Sequence, residues 1–207
     1  MEIILIGLMV IIGYLVGSIS TAILIGRIVS GDDIRNHGSG NAGATNALRT
    51  YGKKIAIFVL LGDCLKAIIA MSLVKLLAGF ILPNEYVDLA VYVSGIGVAL
   101  GHNFPLYFKF KGGKGVVVSA TAMFFADWRI ALVVLAVALI VMATTKYVSL
   151  GSILGALTFA ILIPIFHFGD WFMIAYAVIL AAMLIIMHKS NIQRLVKGEE
   201  NKLGSKK

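Results

Sequence analysis

Seven apolar stretches separated by short polar segments dominate this chain, and they leave it little to fold into except a bundle of membrane helices. They cover residues 3–25, 55–82, 86–101, 116–126, 130–144, 150–168 and 171–187. A helix crossing the hydrocarbon of a bilayer needs about 20 predominantly apolar residues. The fourth stretch is the shortest, so it is tilted, re-entrant or matched to locally thinned bilayer, and its length alone does not decide whether it fully crosses. The bulk composition agrees. Only 14% of the 207 residues are charged and 60% are hydrophobic, against about 25% charged in a soluble domain. The expected fold class is therefore all-α: a polytopic membrane protein with seven transmembrane helices, forming one domain over residues 1–207 with a short polar tail from about residue 198. The opening MEIILIGLMV lacks the basic leader region of a signal peptide and is expected to be a mature helix.

The basic residues give the orientation. Five lie between the first two stretches (Arg27, Arg35, Arg49, Lys53 and Lys54), and three follow the third (Lys109, Lys111 and Lys114). Lys146 follows the fifth, and Lys189, Arg194, Lys197, Lys202, Lys206 and Lys207 follow the seventh. With seven spans these fifteen of the eighteen basic residues fall on one side, and the opposite loops hold only Arg129. Six spans would scatter them over both faces. The positive-inside rule then puts the N-terminus outside and the C-terminus in the cytoplasm. A net charge of +8 in a soluble protein would suggest nucleic acid. Here the charge sits beside membrane spans, so the expected partners are membrane lipid headgroups or an anionic substrate, and no nucleic acid. Cys64 is the only cysteine, which excludes an internal disulfide. No cysteine or histidine cluster calls for a metal, and no dinucleotide fingerprint calls for a cofactor.

Three polar motifs lie on the face assigned to the cytoplasm. The first runs Gly38-Ser39-Gly40-Asn41-Ala42-Gly43-Ala44-Thr45-Asn46-Ala47-Leu48-Arg49. Glycines such as Gly40 let successive backbone N–H groups converge on an anion. Ser39, Asn41, Thr45 and Asn46 offer side-chain donors, and Arg49 a planar fork that matches phosphate. A polar turn capping a helix is the plain alternative. The second motif is Gly101-His102-Asn103-Phe104-Pro105, followed by Lys109, Lys111 and Gly112-Gly113-Lys114-Gly115. A Gly-Gly-Lys-Gly turn opening an apolar helix suits phosphate, because the helix N-terminus favours an anion and the lysine adds a charge. It lacks Walker A spacing, which argues against an ATPase, and a flexible positive-inside anchor is its plain alternative. The third motif is His188, Asn191 and Arg194, followed by Gly198 and Glu200. If the last helix continues past the membrane, spacings of three and six keep the first three near one face.

Asp63 and Lys66 are three residues apart inside the second stretch. Ionisable groups within a span are a functional hypothesis, and an internal ion pair supporting the packing explains them equally well. Lys75 is placed to snorkel to the outer interface. Gly13-x3-Gly17, Gly97-x3-Gly101 and Gly151-x3-Gly155 fit close helix packing within one bundle, with dimerisation as the alternative.

Taken in order, SGNAGATNALR, GHNFPLYFKFKGGKG and HKSNIQRLVKGEE resemble the three motifs of the bacterial membrane glycerol-3-phosphate acyltransferases that use acyl phosphate, the PlsY family. The likeness covers essentially the whole chain. It implies transfer of an acyl group from acyl phosphate to sn-glycerol 3-phosphate, giving 1-acyl-sn-glycerol 3-phosphate (lysophosphatidic acid) and phosphate at the cytoplasmic face of the bacterial inner membrane. It implies catalytic roles for Ser39, Arg49, Lys114, His188 and Asn191. Substrate contacts are expected from Gly40, Asn41, Thr45, Asn46, His102, Asn103, Gly112, Gly113, Gly115 and Arg194. Asp63, Lys66 and Glu200 are expected to support the architecture. Other enzymes of phospholipid synthesis are candidate partners. An organophosphate transporter is the competing reading, although no internal repeat is visible. A non-catalytic lipid-binding protein is a third, and it would leave both glycine-rich loops unexplained.

Overall fold

The computed structural model describes residues 1–204, and all regular structure among them is helical. Two of the tail's basic residues, Lys206 and Lys207, lie outside the described residues. The chain divides into two compact units, Met1–Ala122 and Met123–Lys207.

The first unit opens with α1 (Glu2–Gly17) and α2 (Thr21–Ser30), broken at residues 18–20. The break has a local cause: the Ser20 side chain accepts the Ile23 N–H at 3.5 Å and starts α2 as an N-cap. The short α3 (Ala44–Tyr51) precedes α4 (Lys53–Ile81) and α5 (Val87–Asn103), and α6 (Val116–Ala126) follows the Gly-Gly-Lys-Gly turn. Two small-xxx-small pairs meet each other here. Gly13 lies against Ser94 and Gly17 against Val98, while Gly97 and Gly101 lie against the backbone of Val10, Tyr14 and Ser18. Backbone meets backbone with no side chain between, the geometry small residues permit in membrane helices. A Cβ on Gly17 would lie 2.8 Å from Val98 Cα. Gly17→Val is therefore expected to lower stability by about 1–3 kcal/mol through overpacking, read as a drop in melting temperature in detergent.

A second apolar nucleus sits under the polar loops. Ala22, Ile23, Ile34, Ala42, Ala47, Ala56, Val59 and Phe108 are buried together, with Leu48, Tyr51 and Ile55 packed on them. It joins α2, α3 and α4 to Phe108 of the second motif. On the rest of α4 the pattern is that of a helix in lipid: Val59, Ala67 and Ala70 are fully buried, while Leu61, Leu65 and Ile69 are each more than half exposed. In water such an apolar exterior would aggregate.

The second unit contains α7 (Trp128–Thr145), α8 (Val148–Phe166), α9 (Trp171–Met187) and α10 (Lys189–Val196). Asp127 caps α7 by accepting the Arg129 and Ile130 N–H groups, and its second oxygen meets His167 Nε2 at 2.9 Å. The Arg129 side chain beside it, opposed by burial and joined by His167, holds the Asp127 carboxyl far below the usual range. Gly151 and Gly155 pack on Ala138, Met142 and Val134 of α7.

Among the described residues, five helical segments are long and apolar enough to cross a bilayer: Glu2–Ser30, Lys53–Ile81, Asn84–Phe108, Trp128–Thr145 and Val148–Phe166. A sixth is counted if α9 and α10, bent by 61°, form one span. The difference from the seven expected is α6. Its 11 residues rise about 16 Å at 1.5 Å each, roughly half the hydrocarbon thickness. The last helix also does not continue straight past the membrane, as the spacing of the third motif assumed. It bends at His188, which ends α9 and begins α10.

Candidate functional site

The predicted site residues fall into two sets, one in each unit. In the first unit the Ser39 loop is held from inside by Asn46. Asn46 Oδ1 accepts the Ser39 N–H at 2.8 Å, and its Nδ2 donates to the carbonyls of His37 at 3.0 Å and Ile34 at 3.2 Å. With 1% of its surface exposed, Asn46 serves the loop backbone. A Cβ at Gly38, whose φ is +58°, would collide with the Asn46 side chain, so both the backbone angle and the space call for glycine there. Ser39 and Gly40 are exposed on the loop, and Asn41 and Thr45 are half-buried. Arg49 is exposed on the last turn of α3.

The second motif folds back onto the end of α5. Gly112 N–H donates to the Asn103 carbonyl at 3.1 Å and Gly113 N–H to the His102 carbonyl at 3.0 Å. These are two of the carbonyls a helix leaves unpaired at its C-terminus. The glycine amides expected to face an anion are thus given to α5. The glycines are there because the backbone is crowded: a Cβ on Gly112 would lie 2.6 Å from Pro105 Cδ, and one on Gly113 would overlap His102 Nε2 and lie 2.8 Å from the Ala42 carbonyl. Lys114 follows, half-buried, and Gly115 turns the chain into α6 at φ +77°. Asn103 Oδ1 is buried, faces Gly115 and has no hydrogen-bond partner among the described residues.

The two glycine-rich loops touch. Ala42 N–H reaches the Gly112 carbonyl at 3.5 Å, so the first motif lies on the second. Arg35, by its position one more charge of the positive face, makes a further link. Its Nη1 donates to the carbonyls of Phe108 and Lys111, each at 2.8 Å. The Asp-x-Arg spacing at Asp33 and Arg35, next to an N-cap, was the available signal.

Asp63, Lys66 and His102 form one buried cluster. Lys66 Nζ lies 2.9 Å from Asp63 Oδ1 and 2.9 Å from His102 Nδ1, and it donates to the Ile19 carbonyl at 2.8 Å. Thr21 Oγ1 donates to Asp63 Oδ1 at 3.1 Å. The ammonium has three donors and no acceptor. With Lys66 charged, Nδ1 of a neutral His102 ring is therefore the acceptor, which puts the ring hydrogen on Nε2, the atom that faces Gly113. The ion pair thus ties the break between α1 and α2 to α4, and sets the tautomer of a histidine abutting the second loop.

In the second unit, His188 sits at the bend with Nδ1 2.8 Å from the Leu184 carbonyl. In the neutral ring Nδ1 is then the donor and Nε2 the acceptor nitrogen. Asn191 Nδ2 donates to Glu200 Oε1 at 2.6 Å, Ser149 Oγ to the same oxygen at 2.9 Å, and Arg194 Nε to Oε2 at 2.7 Å. Asn191 and Arg194 do share a face, and what meets that face is a carboxylate from the tail. Burial alone would raise the Glu200 pKa, but the hydrogen bonds from Asn191, Arg194 and Ser149 outweigh it and hold the carboxyl below its ordinary 4.5. A depressed carboxylate stabilises the fold fully above pH 4.5 and loses that contribution as pH falls through its folded value. The melting-temperature gap between the wild type and Glu200→Gln is expected to be constant at neutral pH and to shrink on acidification below that point.

Over residues 7–198 the sequence matches the family described as glycerol-3-phosphate acyltransferase. It is 43% identical over 196 residues to the glycerol-3-phosphate acyltransferase of Thermoanaerobacter sp. (strain X514), covering 95% of this chain and 94% of that protein. Against the protein of the same name from Bacillus subtilis (strain 168), identity is 37% over 199 residues, covering 96% and 98%. The fold is similar to that of PlsY, an integral membrane glycerol 3-phosphate acyltransferase, in two crystal structures. The glycerol 3-phosphate form gives a TM-score of 0.85 at 33% identity, covering 96% of each chain. The lysophosphatidic acid form gives 0.80 at 32%, covering 96% and 95%.

Proposed function

The chain belongs to the glycerol-3-phosphate acyltransferase family, and from that premise we propose that it acylates the sn-1 hydroxyl of glycerol 3-phosphate with acyl phosphate as donor. The hydroxyl oxygen attacks the acyl carbonyl carbon, the carbonyl–oxygen bond to phosphate breaks, and phosphate leaves with 1-acyl-sn-glycerol 3-phosphate as product. The donor is already activated, so the protein has to supply position and charge rather than a covalent acyl-enzyme. The observation that carries this reading is the contact of the two glycine-rich loops, Ala42 on Gly112, which puts Ser39 and Lys114 on adjoining loops for a reaction whose two substrates each carry a phosphate.

In this reading Ser39 and Arg49 hold glycerol 3-phosphate, Lys114 meets the acyl phosphate, and His188 and Asn191 act on the acceptor. Gly40, Asn41 and Thr45 belong to the acceptor loop. Asn46, His102, Asn103, Gly112, Gly113 and Gly115 shape the two loops, Asp63 and Lys66 support them, and Arg194 and Glu200 brace Asn191. The hydroxyl proton goes either to His188 Nε2 or to a substrate phosphate oxygen, and the pH–rate profile of His188→Gln separates the two. Residues 1–207 act as one domain, a reading supported by a family match that runs unbroken from 7 to 198. The N-terminus lies outside, the short α6 supplies the seventh crossing where the bilayer is locally thinned, and the site faces the cytoplasm at the inner membrane. Acyl phosphate, membrane lipid and neighbouring enzymes of phospholipid synthesis are the partners this implies.

Arg49→Ala is expected to raise the KM for glycerol 3-phosphate by roughly tenfold to a hundredfold, since a hydrogen bond to a charged group contributes about 1.5–3 kcal/mol. Initial rates against both substrates check this. The buried Asp63–Lys66 pair is the feature that would suit a transporter, yet it is occupied by Thr21, the Ile19 carbonyl and His102. Proteoliposomes given labelled glycerol 3-phosphate and acyl phosphate separate the readings. Formation of labelled lysophosphatidic acid supports the acyltransferase, and uptake of unmodified label without product contradicts it.

A further inference from the structure

We propose that Arg35 is a positioning residue for the acyl-phosphate loop, setting the conformation of the turn that leads into Gly112 and Gly113; this rests on the reading of that loop given above. The turn is unusual. Lys109 and Phe110 are consecutive non-glycine residues with φ of 58° and 55°. This left-handed region is sterically unfavourable for side chains, and two such residues in succession persist only where the surroundings hold them. The carbonyls immediately flanking the pair belong to Phe108 and Lys111, and Arg35 Nη1 donates to both, each at 2.8 Å. One guanidinium nitrogen thus closes the turn across its strained residues. The next two amides, of Gly112 and Gly113, dock on the end of α5.

Arg35 is itself held rigidly. Its Nε donates to Asp33 Oδ1 at 2.9 Å and its Nη2 to Asp33 Oδ2 at 2.7 Å, a two-point fork that only a planar guanidinium makes. Asp33 Oδ1 also accepts the Arg35 N–H at 3.0 Å, so the carboxylate fixes backbone and side chain together. Arg27 lies over the Phe108 ring at 5.6 Å and adds a second cation beside Asp33 at 3.8 Å. The Arg35 backbone borders the other loop, where its carbonyl is the atom a Cβ on Gly40 would meet at 3.4 Å. Arg35 therefore spans from the base of the Ser39 loop to the turn feeding the Gly-Gly-Lys-Gly loop. A lysine here would keep the charge and lose both the fork and the bridge.

The test is a kinetic comparison of the purified full-length protein with Arg35→Ala, Arg35→Lys, the pair Lys109→Gly with Phe110→Gly, and Arg35→Ala combined with that pair. Both Arg35 variants are expected to raise the KM for acyl phosphate by roughly tenfold or more, while the KM for glycerol 3-phosphate stays within about twofold of wild type. Glycine adopts the left-handed angles without strain, so the glycine pair should restore most of the affinity lost in Arg35→Ala. Equal rises in both KM values, or no rescue by the glycines, would overturn the proposal. If Arg35→Ala does not fold, Arg35→Lys with and without the glycine pair carries the same comparison. If the wild type itself makes no product from acyl phosphate, the functional reading fails separately. Arg35 is then judged by melting temperature, where the glycine pair must offset the loss caused by Arg35→Ala, and an unaltered loss overturns the inference.

Discussion

Alanine at Gly113 is expected to raise the KM for acyl phosphate by roughly a hundredfold, the scale of loss for about 1 Å of misplacement at a reacting centre. One methyl group has nowhere to go. It would overlap the ring of His102 and lie 2.8 Å from the Ala42 carbonyl. Neither neighbour yields easily: His102 is held by Lys66 Nζ at 2.9 Å, and Ala42 is fully buried beneath the Ser39 loop. The two loops must therefore separate, and Lys114 moves with its own. Gly79→Ala is the control, because nothing among the described residues lies within 4 Å of a Cβ there. Initial rates against acyl phosphate decide the matter. A Gly113→Ala enzyme with an unaltered KM for that donor would contradict the crowding described here.

The second large effect is on stability. Lys66→Met leaves Asp63, with 2% of its surface exposed, without its ammonium partner. Breaking a buried pair from one side costs about 3–5 kcal/mol, which corresponds to roughly 6–20 °C in melting temperature for a chain of this size. His102 loses its Nδ1 partner in the same change, so activity should fall along with stability. Replacing both members, as Asp63→Leu with Lys66→Met, is expected to melt above Lys66→Met alone, because no uncompensated charge remains. Thermal unfolding in detergent reads all three proteins. A Lys66→Met variant that melts with the wild type would show that the pair is not holding α4 to the α1–α2 break.

Much of this was legible in the residues. Apolar length marks membrane helices directly, because the hydrocarbon slab fixes how many such residues a span needs. The glycine pairs at 13/17 and 97/101 also announced close packing, although only the fold reveals that they pack against each other. The helix bend at His188 was hidden, since the spacing of His188, Asn191 and Arg194 reads the same on a straight helix and on a broken one. So was the Glu200 carboxylate that gathers Asn191 and Arg194 from the tail.

The site was less legible where side chains serve backbone groups. Asn46 looks like a donor for a ligand, and spends its amide on Ser39, His37 and Ile34. Gly112 and Gly113 look like an anion cradle, and give their N–H groups to α5. Arg35 looks like one more charge on the positive face, and bridges carbonyls 73 and 76 residues away. Such links are set by which loops meet in three dimensions, and no local spacing encodes them. The positive face itself is more than a topology signal, for one of its arginines is part of the scaffold of the loops it surrounds.

The most direct test gives the purified protein glycerol 3-phosphate with palmitoyl phosphate, palmitoyl-CoA or palmitoyl-acyl carrier protein in parallel, and measures lysophosphatidic acid by mass spectrometry together with released phosphate. The account predicts product and phosphate in equal amounts from palmitoyl phosphate and none from the two thioesters. Absence of lysophosphatidic acid with palmitoyl phosphate, or equal product from a thioester, would contradict it.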